Sequence, residues 1–297
     1  MHESILAFKR SRYGWWALLL SLLCVGIYLS QQGLQVPNGG TWQGYTLGTI
    51  ATLLVVWLTA LGIRKRSYQS TLGSVQGWTS AHVYLGIAVL FIATLHCAAQ
   101  FGWNLHTLAY LFMTVVILSG FFGLYVYMRY PSLISSNRAG KTLKDMFAEL
   151  NELNQQGIQS AQRCDAVVLQ VVDSCISRTT IGGGLIAQLR GRDNSKCLLP
   201  SAINDHASPT RLANNVDQHA AINYIASCIP RTRKKHEASE LQKLLAIVCR
   251  RQTVLRHIRR DIQLRAGLKI WLLVHIPATI GLLVSLCLHI VAVFFFW

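Results

Sequence analysis

Charge is scarce in this sequence, and what there is keeps to certain segments. Only 13% of the 297 residues are charged, 52% are hydrophobic, and the mean hydropathy is +0.35. These values lie outside the usual range of water-soluble domains. Lys, Arg, Asp and Glu are absent from residues 31–41, 100–106 and 270–297. The first apolar stretch lacks a clear small-residue cleavage site and is followed by further apolar stretches, so it reads as a retained helix rather than a signal peptide. No Walker motif or dinucleotide fingerprint occurs, which leaves a flavin or nicotinamide site within this chain without support.

Long apolar runs are what the sequence does have. Five approach or exceed the length needed to span a bilayer: residues 15–30, 44–63, 81–99, 107–128 and 268–297. All 28 Lys and Arg fall in residues 1–13, 64–80 or 129–269. By the positive-inside rule the N-terminus is cytoplasmic and the C-terminus periplasmic, as an odd number of spans requires. The expectation is an all-α, polytopic membrane protein of the cell inner membrane with five transmembrane helices. Residues 1–130 would carry the first four, 131–266 a helical cytoplasmic insertion, and 267–297 the fifth.

Four of the ten histidines lie within these runs: His82 and His96 in the third, His275 and His289 in the fifth. Each pair is 14 residues apart. A helix rises about 21 Å over that interval and returns to within about 40° of its starting face. The third and fifth helices run in the same direction, so His82 is expected level with His275 and His96 level with His289. Two facing neutral imidazoles can supply both axial ligands of a haem iron. Levels about 21 Å apart exclude a shared binuclear centre. Two b-type haems follow, an inner one on His82 and His275 and an outer one on His96 and His289. No CxxCH is present to attach a c-type haem.

Gly48 and Gly62 on the second run repeat the 14-residue interval, and glycine permits close approach of a ligand. Gly120, Gly123, Gly86 and Gly281 are further positions where a flat group or a neighbouring helix can come near. The stretches HVYLGIAVLFIATLH (His82 to His96) and HIPATIGLLVSLCLH (His275 to His289), with the Gly48/Gly62 spacing, resemble the four-helix core of the di-haem cytochrome b family of quinol-oxidising complexes. Ferric-reductase-like membrane domains have a similar histidine spacing. The resemblance covers only the second to fifth helices and implies axial ligation by the four histidines, with packing of porphyrin faces on Gly48 and Gly62. It lacks the Pro-Glu-Trp-Tyr quinol-site segment, and a long insertion separates the fourth helix from the fifth.

Within that insertion, residues 142–156 and 237–262 have amphipathic-helix patterns that could pair as an antiparallel stalk. The second runs into the fifth span without a proline. Gly182–Gly184 reads as a turn. Cys164, Cys175, Cys197, Cys228 and Cys249 contain no close C-x2-C pair, and a cytoplasmic location argues against structural disulfides, so they read as ordinary thiols rather than iron–sulfur ligands. The net charge of +16, concentrated in clusters such as 231–235 and 250–260, suits anionic lipid headgroups or an acidic protein better than nucleic acid. Lys9, Arg12, Arg66 and Lys269 are candidate partners for propionates of the inner haem, and His106 a candidate contributor to a quinone pocket.

The expected function is an electron-transfer subunit of a larger redox complex. It would relay electrons between a quinol or periplasmic cytochrome and a cytoplasmic iron–sulfur or flavin protein. The alternatives are a self-sufficient ferric or quinone reductase, or a membrane scaffold or sensor without redox chemistry.

Overall fold

A computed structural model describes residues 5–31, 38–67, 71–200 and 210–296. Parts of the connections 31–41 and 64–80, the stretch 201–209 within the insertion, and the extreme termini lie outside the described residues. The chain divides into two compact units, Met1–Leu124 with Trp271–Trp297, and Tyr125–Ile270.

The first unit contains α1 (Arg12–Leu29), α2 (Trp42–Arg66), α3 (Val75–His96), the first part of α4 (Leu105–Arg138) and the last part of α9 (Lys235–Phe296). All five of these helices are long and apolar enough to cross a membrane. That is the build of a multi-pass membrane protein. The starts are set by local chemistry: Thr41 and Ser74 cap α2 and α3, each accepting from the backbone N–H three residues on, at 3.1 Å. Arg64, Lys65 and Arg66 close α2, where cations oppose the negative end of the helix dipole. α1 buries only Ala17 and Cys24, while Trp15, Trp16, Leu18, Leu19, Leu22 and Leu23 are exposed. Such a surface is at home in hydrocarbon rather than water.

The core of this unit joins Leu47, Ala51 and Val55 of α2 to Ala88, Val89, Ile92 and Ala93 of α3, with Met113 of α4 and Leu282 of α9. Gly123 makes one close contact possible, since a Cβ there would stand 2.1 Å from the Trp271 indole. Gly281 does the same for Phe112, at 2.8 Å. These two glycines seat aromatic side chains, so the room they make is already taken.

The second unit is built on α5 (Leu143–Ala161) and the first part of α9, with α6 (Ala166–Ser177), α7 (Leu185–Arg190) and α8 (His219–Cys228) around them. Thr142 and Asp145 form a reciprocal capping box that starts α5. The two long helices run antiparallel. Glu149 of α5 takes Arg250 of α9 at 2.6 Å, while Ser160, further along α5, bonds the carbonyl of Glu240, earlier in α9. Met146, Leu150 and Leu153 pack against Val254, Leu255 and Ile258 between them. Gly182 and Gly183 take positive φ, the turn expected there.

The fold is all-helical, as expected, apart from one pair of short strands. β1 (Lys196–Pro200) and β2 (Thr210–Asn214) pair antiparallel, Cys197 opposite Ala213. Cys197 is buried with Val171 and Cys175 of α6, and the Leu198 N–H donates to Ser174 Oγ at 2.9 Å. The pair is therefore held by tertiary burial of one face, which five-residue strands do not announce in sequence.

Candidate functional site

The site is built from α2, α3, α4 and α9 within the first unit. Over its length α2 offers two backbone carbonyls to α3. The Nδ1–H of His96 donates to the Gly44 carbonyl at 2.8 Å, and the Nδ1–H of His82 donates to the Leu58 carbonyl at 3.0 Å. Gly44 and Leu58 are 14 residues apart, the same interval that separates the histidines. Since a carbonyl can only accept, both rings carry their proton on Nδ1, which leaves Nε2 with its lone pair.

His275 is oriented from α4. Ser119 Oγ donates to the Val116 carbonyl at 2.8 Å, so His275 Nδ1–H donates to Ser119 Oγ, also at 2.8 Å. Three of the four span histidines thus have one ring nitrogen committed and the other available. Metal-bound imidazoles have this arrangement, the second nitrogen fixing tautomer and ring angle. Among the described residues, His289 has no hydrogen-bond partner.

Near the charge-free end of the helices, the rings of His96 and His289 stand 6.3 Å apart between centres, with planes at 73°. A metal bound to imidazole nitrogen sits about 2 Å from it, hence about 3 Å from the ring centre, so an axial pair needs centres about 6 Å apart. The donor set and spacing suit two axial imidazoles, but the His106 ring, 6.3 Å from that of His96 and 5.8 Å from that of His289, stands nearly equidistant from both, so a porphyrin between them would require His106 to turn aside.

The glycines differ. A Cβ on Gly48 would stand 2.8 Å from His96 Cε1, and one on Gly39 3.3 Å from the same atom. Gly48 lies one helical turn beyond Gly44, so its missing side chain clears the path by which the imidazole reaches that carbonyl. Among the described residues a Cβ on Gly62 or Gly86 would meet nothing within 4 Å, and one on Gly120 would touch His275 Cε1 at 3.8 Å. Gly48 is thus required by the imidazole itself, while space beside Gly62 and Gly86 is open.

No family model, curated protein or solved structure matches the chain. Among the described residues no group of three or more His, Cys, Asp or Glu side chains could hold a metal ion. A haem asks less of the protein, two axial ligands at most.

Two residues gain a role that sequence did not give them. Lys65 acts electrostatically on both His82 and His275. It sits seven residues beyond Leu58, two turns along the same face of α2, a signal present in the spacing but hidden among three adjacent cations. Of the cations expected near this level, Lys9 lies over the Phe8 ring and Arg12 over the Tyr13 ring. His106, a candidate contributor to a quinone pocket, stands beside His96 and His289.

In the second unit the basic run 250–260 is largely committed internally. Arg250 pairs with Glu149, Arg256 with Asp217, and Arg259 with Asp193 at 2.8 Å. Arg251 is buried and donates to Asn154 at 2.7 Å, Thr179 at 2.8 Å and Gln218. Cys175 and Cys197 are buried, and burial pushes the Cys197 thiol up to about 11, away from thiolate chemistry at neutral pH. Cys249 is exposed, and Cys164 and Cys228 are half-buried.

Proposed function

We propose that the chain is a di-haem membrane cytochrome of the cytochrome b kind, carrying electrons across the bilayer as a subunit of a redox complex. The observation that carries this reading is the pair His96 and His289, whose ring centres stand 6.3 Å apart. It is supported by the fixed Nδ1 protons of His82, His96 and His275. His82 and His275 would hold one haem and His96 and His289 the other, about 21 Å apart along α3. A bis-imidazole haem supplies reversible one-electron storage at an iron with no open coordination place.

The protein's part is positioning and tuning. The Gly44 and Leu58 carbonyls and Ser119 hold the imidazoles in one tautomer and raise their basicity, which favours the ferric state. Lys65, one of the three cations that close α2, would meet the propionates of a haem on His82 and His275 and favour the reduced state. The apolar walls of the unit keep the dielectric low. With Lys and Arg confined to one side of the spans, the His82 level would face the cytoplasm and the charge-free His96 level the periplasm. The donor or acceptor on the cytoplasmic side would be an iron–sulfur or flavin protein, and on the other side a quinone or cytochrome.

The test is a dithionite-reduced minus oxidised absorption spectrum of the purified chain. Two b-type haems per chain are expected, with His82→Ala removing one and His96→Ala the other. A chain that folds and binds no haem overturns the reading. Reduction of reconstituted vesicles by quinol, with and without a cytoplasmic donor, then gives the direction of flow.

A further inference from the structure

Trp271 and His275 stand one turn apart on α9, as Gly123 and Ser119 do on α4. The two helices meet there in two rungs. His275 donates to Ser119 Oγ, and the Trp271 indole is seated on Gly123, where a Cβ would come within 2.1 Å of Cε2 and 2.4 Å of Nε1. The indole and imidazole rings are 5.7 Å apart between centres, with planes at 46°. This seat fixes the indole, yet its Nε1–H is shut off from solvent and meets no acceptor among the described residues. A buried donor left unpaired costs about 1–3 kcal/mol, and a protein that keeps one has a use for it.

An indole N–H can only donate, so the partner it lacks is an acceptor. A lipid headgroup does not qualify, because the nitrogen has no exposed surface. We propose that Trp271 donates to a carboxylate of the haem on His82 and His275, and so fixes how that haem is turned in its site. This rests on the haem reading above. The level has room for the group: among the described residues a Cβ on Gly86, one turn from His82 on α3, or on Gly62, one turn from Leu58 on α2, would meet nothing within 4 Å. Trp271 also lies on the correct side of its histidine. It is one turn toward Lys269 and away from the charge-free C-terminal end, and Arg64, Lys65 and Arg66 close α2 on that side. Carboxylates are costly in hydrocarbon unless paired, so a haem is expected to turn its two toward those cations. Lys65 supplies charge there, and the indole supplies direction, since a hydrogen bond to an ionised acceptor is stronger than a neutral one.

The test compares the full chain with W271F, which keeps an aromatic ring over Gly123 and loses the N–H. Both are loaded with haem and, separately, with haem dimethyl ester, whose carboxylates are capped and uncharged. Haem affinity and midpoint potentials are measured, and the bands missing from H82A and from H96A tell the two haems apart. With haem, W271F should bind the group on His82 and His275 roughly tenfold more weakly, the worth of one hydrogen bond to a charged acceptor. The potential of that haem should fall, because a carboxylate without its donor favours ferric iron, and the other haem should be unchanged. With the dimethyl ester, parent and W271F should be alike. An equal loss with either form of haem would mean that the indole acts by packing alone, and overturns the proposal. A W271F chain indistinguishable from the parent with haem overturns it too. Should W271F fail to fold, 3-benzothienylalanine at position 271, which has the indole's shape without the N–H, takes its place with the same outcomes. A folded parent chain without haem would refute the underlying reading, and the parent spectrum alone tells that failure apart.

Discussion

Gly48 and the imidazole of His96 stand so close that a Cβ on the glycine would come within 2.8 Å of Cε1. The glycine lies one turn from the carbonyl that fixes the ring, so the helix gives up a side chain where the histidine must enter. Gly62, at the same interval as His82 is from His96, has open space instead.

Gly48→Val is expected to push His96 off the Gly44 carbonyl and weaken haem binding at that level roughly 10–100-fold, the usual cost of losing an orienting partner. Gly62→Ala should leave the haem on His96 and His289 unaffected, since a Cβ there does not reach either imidazole. Haem titration of the two purified variants checks the contrast, and equal losses would contradict the separate roles.

Ser119→Ala removes the group that takes the His275 proton. Binding of the haem on His82 and His275 should fall by roughly tenfold or more while the other is unchanged. Ser119→Thr, which keeps the hydroxyl, should retain most of it. A shift in the midpoint potential of only one haem in a redox titration would give the same answer independently of occupancy.

Arg251→Ala leaves acceptors on Asn154, Thr179 and Gln218 without their donor inside the second unit. The expected loss of stability is about 3 kcal/mol. Chemical denaturation followed by hydrogen exchange in α5 and α6 measures it. A loss near zero would mean that water replaces the guanidinium.

Asp261 has no exposed side-chain surface and accepts from Arg138 at 2.6 Å and Arg265 at 2.8 Å. Burial pulls its carboxyl upward, but the hydrogen bonds and charges of the two arginines pull harder, and the result lies below the ordinary carboxylate range. Its contribution is therefore fully present above about pH 4, where the unfolded carboxyl is ionised, and is lost as pH falls through the lower folded value. Asp261→Asn should destabilise the second unit at pH 7 by about 2 kcal/mol, with Arg265 half-exposed. That deficit should shrink in acid. Melting curves across the pH range would show it, and a deficit that grows on acidification would contradict the sign.

The positions of the spans, the one-sided placement of the cations and the 14-residue pairing of His82 with His96 and of His275 with His289 are all properties of the sequence by itself. Hydropathy and helical period are local, summed along a segment whatever lies beside it. The antiparallel pairing of α5 with α9 was legible for the same reason, from amphipathic stripes. Only the tertiary structure decided what meets across helices. That includes the carbonyls of Gly44 and Leu58 as proton acceptors, Ser119 beside His275, and His106 drawn beside His96 and His289. These depend on how each helix is rotated and displaced against the next. Packing over many side chains sets that rotation, and no single segment encodes it. The β1–β2 pair and the buried Arg251 were hidden likewise, because burial supplied by α6 and α9 outweighs the weak preferences of five-residue strands and of a basic run that reads as surface.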